Sequence, residues 1–332
     1  MKKQNLAVMT GGTGLIGYHV LKALIDDSWR VIVLHRKTSD VSVFRGILDS
    51  TDSVELKEVD LGDERSIDHV FPEGVDAVFH LAANVSHHSD KNQWRDNVLA
   101  TRNLAEVALE KEARRFIFTS TGAARFSRGE SDPDRLRTQL LSGYAFTKRL
   151  AELEVEIAAK KGLDVVILQP TVVLGEYDFR GNYSQLFEPN VLTRLRAALP
   201  GCLEFCDAKK IANAHLQAFY RGRRNEYYIL GGQYLSWLEL FSVIAEVTGM
   251  PPPLFALRTW MLRVIAFVHM LNFRLFGIHP QVTRDLIWLL SHEDRLTEDE
   301  IANTKRDLGY DRRDIDIYDL CERVNRWRLS KS

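Results

Sequence analysis

Residues 6–17 read Leu6-Ala-Val-Met-Thr10-Gly11-Gly12-Thr13-Gly14-Leu15-Ile16-Gly17. A short apolar run enters a turn with glycines at 11, 14 and 17, and Leu15, Ile16, Val20 and Leu24 continue near helical spacing. Without Cβ atoms the turn can bend sharply and let phosphates approach the backbone. The helix that follows offers unpaired N–H groups and a positive dipole end to an anion. In strand–turn–helix order, this spacing points to a dinucleotide pyrophosphate site. Gly11, Thr13, Gly14, Leu15, Ile16 and Gly17 are its expected contacts.

Working outward, apolar runs alternate with helical stretches. Val31 to His35, Val54 to Val59, Ala77 to His80, Phe116 to Ser120 and Val165 to Leu168 read as strands. Leu15 to Asp27, Asn97 to Lys111 and Tyr144 to Lys160 read as helices. Strands alternating with helices predict a Rossmann-type α/β fold, a doubly wound parallel sheet covered on both faces. The alternation fades after about residue 175. The expected division is a dinucleotide-binding domain over 1–175 and a smaller, mostly helical substrate lobe over 176–332, with the chain returning to the sheet near 205–230. Glu226 to Leu230 reads as a strand and Leu235 to Thr248 as a helix, with Ser236 and Glu239 forming a capping box.

Composition fits this reading. The 332 residues are 45% apolar and 27% charged, with 44 basic and 45 acidic side chains. A net charge of −1 gives no field for nucleic acid. Three cysteines, an odd and sparse set, fit a reducing, cytoplasmic compartment rather than a disulfide framework. Lys2 and Lys3 lead straight into the first strand, which is no secretory signal. Cys202-x3-Cys206 with His215 matches no common zinc spacing, so no metal site is expected.

The second strand ends at His35-Arg36-Lys37-Thr38-Ser39. An acid here would hold a ribose 2′-OH, whereas an arginine accommodates a 2′-phosphate. Arg36, helped by Lys37 or Ser39, therefore favours NADP(H), with NAD(H) as second choice. Asp60, ending the third strand, is placed for the adenine edge or as a strand-end cap. Tyr144-Ala-Phe-Thr-Lys148 opens a long helix, and a spacing of four stacks Tyr144 and Lys148 on one face. A Lys ammonium and a cationic nicotinamide would favour the phenolate, so a lowered Tyr144 pKa is expected. The strand ending Phe116-Ile-Phe-Thr-Ser-Thr121 brings hydroxyls to the same end of the sheet.

With these motifs the chain resembles the extended short-chain dehydrogenase/reductase family over nearly all its length. The likeness rests on Thr10 to Gly17, Asp60-Leu61, His80-Leu81-Ala82-Ala83, Asn97-Val-Leu-Ala-Thr101, Thr119-Ser-Thr121, Tyr144 to Lys148 with Glu152, and Gln169-Pro170. Arg36, Leu230-Gly-Gly-x-x-Leu-Ser-Trp237 and Thr304 to Tyr310 resemble its dihydroflavonol-reductase-like branch. The resemblance implies Thr121, Tyr144 and Lys148 as catalytic residues. It implies Leu61, Leu81, Ala82, Ala83, Ser120, Pro170, Val172 and Val173 as further cofactor contacts. Thr121 stands where Ser is more frequent, and Lys210 where the family usually carries an acid. A homodimer through the helices Asn97 to Lys111 and Tyr144 to Lys160 is also implied.

The expected activity is NADP-dependent reduction of the carbonyl of a fairly apolar small molecule, or the reverse oxidation. The alternative is a nucleotide-sugar epimerase or dehydratase using the same triad with tightly bound cofactor; Arg180, Arg194 and Arg196 would then hold the diphosphate. A non-enzymatic cofactor sensor is disfavoured because Tyr144 and Lys148 are both present. His87, His88 and Trp94 read as a solvated loop.

Phe255 to Ile278 is strongly apolar, and no acid occurs from Val247 to Arg284. Its charges argue against a transmembrane span. A packed helical lobe is the plain expectation. Of two sharper readings, an apolar wall over the substrate built from Trp260, Met261 and Phe267 is favoured over a membrane-surface contact.

Overall fold

A computed structural model describes residues 4–85, 92–139, 143–189, 193–194, 196–276 and 295–331, with side chains in 269–276 outside the description. His87, His88, Arg284 and the end of the apolar segment at Ile278 lie outside the described residues.

The central sheet has seven parallel strands: β1 (Leu6–Thr10), β2 (Arg30–His35), β3 (Val54–Glu58), β4 (Ala77–His80), β5 (Phe116–Thr119), β6 (Val165–Pro170) and β10 (Glu226–Leu230), in the order β10-β6-β5-β4-β1-β2-β3. Strand alternation feeds two cores. Ala7 and Met9 join one cluster with the helix Leu15–Asp26, while Val8 joins another on the opposite face. Because both faces are covered, inner strands carry continuous apolar runs, as at Val31 to Leu34, whereas the edge strand β3 alternates with Glu55, Lys57 and Glu58. The helices Ala100–Glu110 and Gly143–Lys160 cover the second face.

Strand order reverses between β1 and β4, and a crevice opens at their carboxyl ends. Two glycines are required there. Gly11 has φ +73°, and a Cβ on it would lie 2.5 Å from the Ala82 amide nitrogen. On Gly17 a Cβ would meet the Gly11 carbonyl at 2.1 Å. The first turn can therefore pack against the loop after β4 only as glycine.

Helix Ala208–Arg221 packs on helix Leu15–Asp26, and β10 then joins the sheet beside β6. Arg115 holds the end of Ala208–Arg221, donating to the carbonyls of Ala218, Phe219 and Gly222 at 2.9 Å each. The remaining chain forms a helical lobe with two small sheets that the sequence did not reveal. In one, β9 (Cys202–Asp207) lies between β7 (Val172–Leu174) and β11 (Gln233–Ser236). The other pairs β8 (Ala197–Ala198) with β12 (Phe255–Ala256). Helix Trp237–Thr248 starts with the capping box at Ser236 and Glu239 and ends at Gly249, φ +73°. Arg312 pairs with buried Glu204 at 2.6 Å, and Arg323 with Glu176 and Asp207 at 2.6 Å each, fastening the C-terminal helices to the lobe. Among the described residues, no helix is long and apolar enough to cross a membrane.

Candidate active site

A cavity of about 720 Å³ follows the crevice from the glycine turn to the helix carrying Tyr144. Gly11, Thr13, Gly14, Leu15, Ile16 and Gly17 line its floor. No side chain caps helix Leu15–Asp26, whose N-cap is Gly14, and its first turn carries no acid. The first amides are therefore available to an anion. Arg36 and Ser39 line the next part; Lys37 does not. Arg36 lies 3.7 Å from Asp96 and is half exposed. Asp60 lines the same region, accepts from the Gly62 amide at 2.9 Å, and pairs with Arg95 at 2.5 Å. It is thus a loop cap as well as part of the wall. Leu61, Leu81, Ala82, Ala83, Ser120, Pro170, Val172 and Val173 all reach the cavity.

Buried hydrogen bonds set this wall. Thr101 donates to the Asn97 carbonyl at 2.6 Å, so its oxygen accepts from Nε2 of His80 at 2.9 Å. Nδ1 of His80 then accepts from Thr10 at 2.7 Å, and Thr10 takes the Ala82 amide at 3.1 Å. Burial pushes His80 down to about 3, with the Lys148 charge adding, so it stays neutral. Asn97 accepts from the Asn84 amide at 2.7 Å and donates to Thr147 at 3.0 Å, tying the loop after β4 to the Tyr144 helix.

Thr121 and Tyr144 face the cavity together, but Lys148 does not line it. Lys148 is 1% exposed. Its Nζ donates to the Thr119 carbonyl at 2.7 Å and sits 4.1 Å from the Phe118 ring centre. Burial lowers its pKa to about 7, against the pull of Glu152. The Thr121 oxygen accepts from the Ala123 amide at 3.4 Å, which leaves its proton free to donate. Tyr144 departs from the sequence expectation: its pKa is raised, first by burial and then by the Tyr183 phenol. The Lys148 ammonium is itself desolvated and turned to Thr119, so the protein alone does not favour the phenolate. A protonated phenol is the form that donates. Behind it, Glu152 accepts from Gln169 at 2.7 Å and Arg149 at 3.0 Å, holding the helix to β6.

The far wall comes from residues sequence reasoning passed over: Tyr183, Gln185, Leu186, Leu199, Leu203 and Trp237. Only Trp237 carried a signal, as the end of the Leu230–Trp237 motif. Burial raises Tyr183 to about 12, so it too is a neutral phenol. Trp260, Met261 and Phe267 are absent from this wall, contrary to expectation. Trp260 and Phe267 are exposed, because their helix turns Leu262 inward instead. Of the three arginines considered for a diphosphate, Arg180 reaches the cavity. Arg196 instead donates to the Pro252 carbonyl at 3.1 Å, and Arg194 is exposed outside the cavity. Lys210 is exposed away from it. Buried His215 donates from Nδ1 to the Ile211 carbonyl and accepts from Thr119 at 2.7 Å.

Residues 7–231 match the NAD dependent epimerase/dehydratase family. The chain belongs to this family and is an NAD(P)-dependent oxidoreductase of the extended short-chain dehydrogenase/reductase type. Sterol demethylase protein B of Methylococcus capsulatus is 31% identical over 271 residues, covering 79% of this chain and 80% of that protein. Cinnamoyl-CoA reductase 1 of Oryza sativa is 26% identical over 261 residues, covering 74% and 76%. The crystal structure of gox2253 superposes with a TM-score of 0.76 at 25% identity, covering 99% of both chains.

Proposed function

We propose that this enzyme reduces the carbonyl of a fairly apolar small molecule with NADPH, or runs the reverse oxidation, through Thr121, Tyr144 and Lys148. The far wall carries the proposal: it offers Leu186, Leu199, Leu203 and Trp237, and of the three candidate arginines only Arg180 reaches the cavity at all. Four apolar side chains favour a substrate of low polarity over a sugar-nucleotide diphosphate. A relative whose name denotes a sterol demethylase protein supports an apolar substrate, and one named a cinnamoyl-CoA reductase supports carbonyl reduction.

A nicotinamide cofactor, when bound, supplies the hydride. The cradle at Gly11 and Gly17 and the uncapped helix start fit its pyrophosphate. Tyr144, protonated at neutral pH, gives its proton to the carbonyl oxygen. Thr121 donates a hydrogen bond to that oxygen and fixes its position. Lys148, whose amine is held behind the wall on the Thr119 carbonyl, would reach the nicotinamide ribose by leaving that carbonyl and would bring positive charge toward the developing oxyanion. Turnover measured as NADPH oxidation should rise with chain length across aliphatic ketones and be absent with nucleotide sugars. A flat ketone series would contradict the apolar wall.

Cofactor preference follows from Arg36, with Arg180 as a second cation in the same cavity. Burial and the nearby Arg36 charge both lower the Arg180 pKa, so an anion between the two would relieve both. Replacing Arg36 with Ala should weaken NADPH binding by roughly 10–100-fold, about 1.5–3 kcal/mol for a charge-assisted bond, and leave NADH nearly unchanged. Fluorescence titration with both cofactors measures this. Equal wild-type affinity for NADH would refute the preference.

A further inference from the structure

Helix Thr259–Phe276 is built with two apolar faces. Met261, Leu262 and Ile265 pack against the core. Trp260, Val264, Phe267 and Val268 follow i, i+4, i+7, i+8 spacing on the other face. Together with Leu254 and Phe255, which precede the helix in the chain, they are 47–65% exposed. Contiguous exposed apolar surface of this kind marks an interaction site. Arg258 and Arg263 are also exposed, and neither has an acidic partner among the described residues. No acid occurs anywhere from 247 to 284 in the sequence.

We propose that this face rests on an anionic lipid bilayer, lying in the interface without crossing it. Charge decides between occupants. A two-fold contact with a second copy would set the same acid-free, arginine-bearing surface against itself. An anionic headgroup layer instead pairs the arginines while Trp260 and Phe267 enter the acyl boundary. The surface is also joined to the cavity. Leu254 donates its amide to the Arg196 carbonyl at 2.7 Å, and Leu257 to the Ala198 carbonyl at 2.9 Å. The next residue, Leu199, is in the cavity wall. The docked face is thus one strand away from the site that takes an apolar substrate, a route by which the bilayer supplies it.

The test is co-sedimentation of the full chain with phosphatidylcholine vesicles, with and without phosphatidylglycerol, at low and high salt. Pelleting is expected only with the anionic vesicles and should weaken as salt rises. Arg258→Gln and Arg263→Gln should each lower partitioning about fivefold, and Phe267→Ser about tenfold at either salt. All three variants should bind NADPH as the wild type does, which shows that they fold. Wild type that does not pellet with anionic vesicles overturns the proposal. So does a wild-type dimer that Phe267→Ser converts to monomer. The readout involves no turnover, so neither result bears on the carbonyl-reductase assignment.

Discussion

Tyr144→Phe is expected to lower carbonyl reduction by about 100-fold or more while NADPH titrates as in the wild type. The substitution keeps the ring that lines the cavity and removes the transferable proton. Burial, reinforced by the Tyr183 phenol, holds Tyr144 protonated well above neutral pH. The hydroxyl of Tyr144, which faces the cavity beside Thr121, is the proton source we propose. The neighbouring phenol is the natural substitute, so Tyr183→Phe belongs in the same experiment. It should reduce activity far less than Tyr144→Phe. If Tyr144→Phe keeps most of its activity, or Tyr183→Phe is the one that loses it, the proton donor has been misassigned.

Lys148→Met should remove activity by about 100-fold or more and yet make the protein more stable at neutral pH. In the unfolded chain Lys148 keeps its proton up to the ordinary 10.5, whereas in the folded chain burial makes it give the proton up near 7. Between those values the unfolded state binds more protons, so stability rises with pH across that window. The cost of burying Lys148 is full below pH 7 and gone above about 10.5. It corresponds to at most about 5 kcal/mol. The hydrogen bond to Thr119 and the contact with Phe118, both lost in the variant, return part of it. A net gain of roughly 1–3 kcal/mol at pH 7 remains, shrinking toward pH 10. Urea unfolding of both proteins at the two pH values measures it. A variant less stable than wild type at pH 7 would mean that Lys148 is a structural ion and not a strained functional one.

The glycine turn and the buried strands were legible because few alternatives share their physics. Only glycine fits at 11 and 17, and only a doubly covered sheet asks for Val31 to Leu34 in one run. The capping box at Ser236 was equally local. Other features depend on tertiary neighbours. Nothing in Tyr144-x-x-x-Lys148 says that the amine turns to the Thr119 carbonyl, away from the cavity and behind its wall. The far wall was hidden because β8 and β11 are short and because β8, β9 and β11 draw partners from other segments of the chain. The helix at 259–276 shows the limit of periodicity most clearly. Its apolar pattern gives two faces, but only packing shows that Leu262 is inward and Trp260 and Phe267 outward. The turn at Arg95–Leu99 is a π-helix, and the pattern at Asn97 gave no hint of it.

The central claim is net hydride transfer from NADPH to the carbonyl carbon of an apolar substrate. Incubation of the enzyme with an aliphatic ketone and NADPH carrying deuterium at both nicotinamide C4 positions tests it directly. Deuterium is expected on the carbinol carbon of the product alcohol, one equivalent per NADP+ formed. Net hydride transfer would be contradicted by an enzyme that leaves ketones untouched and epimerises a nucleotide sugar with no net change in its cofactor.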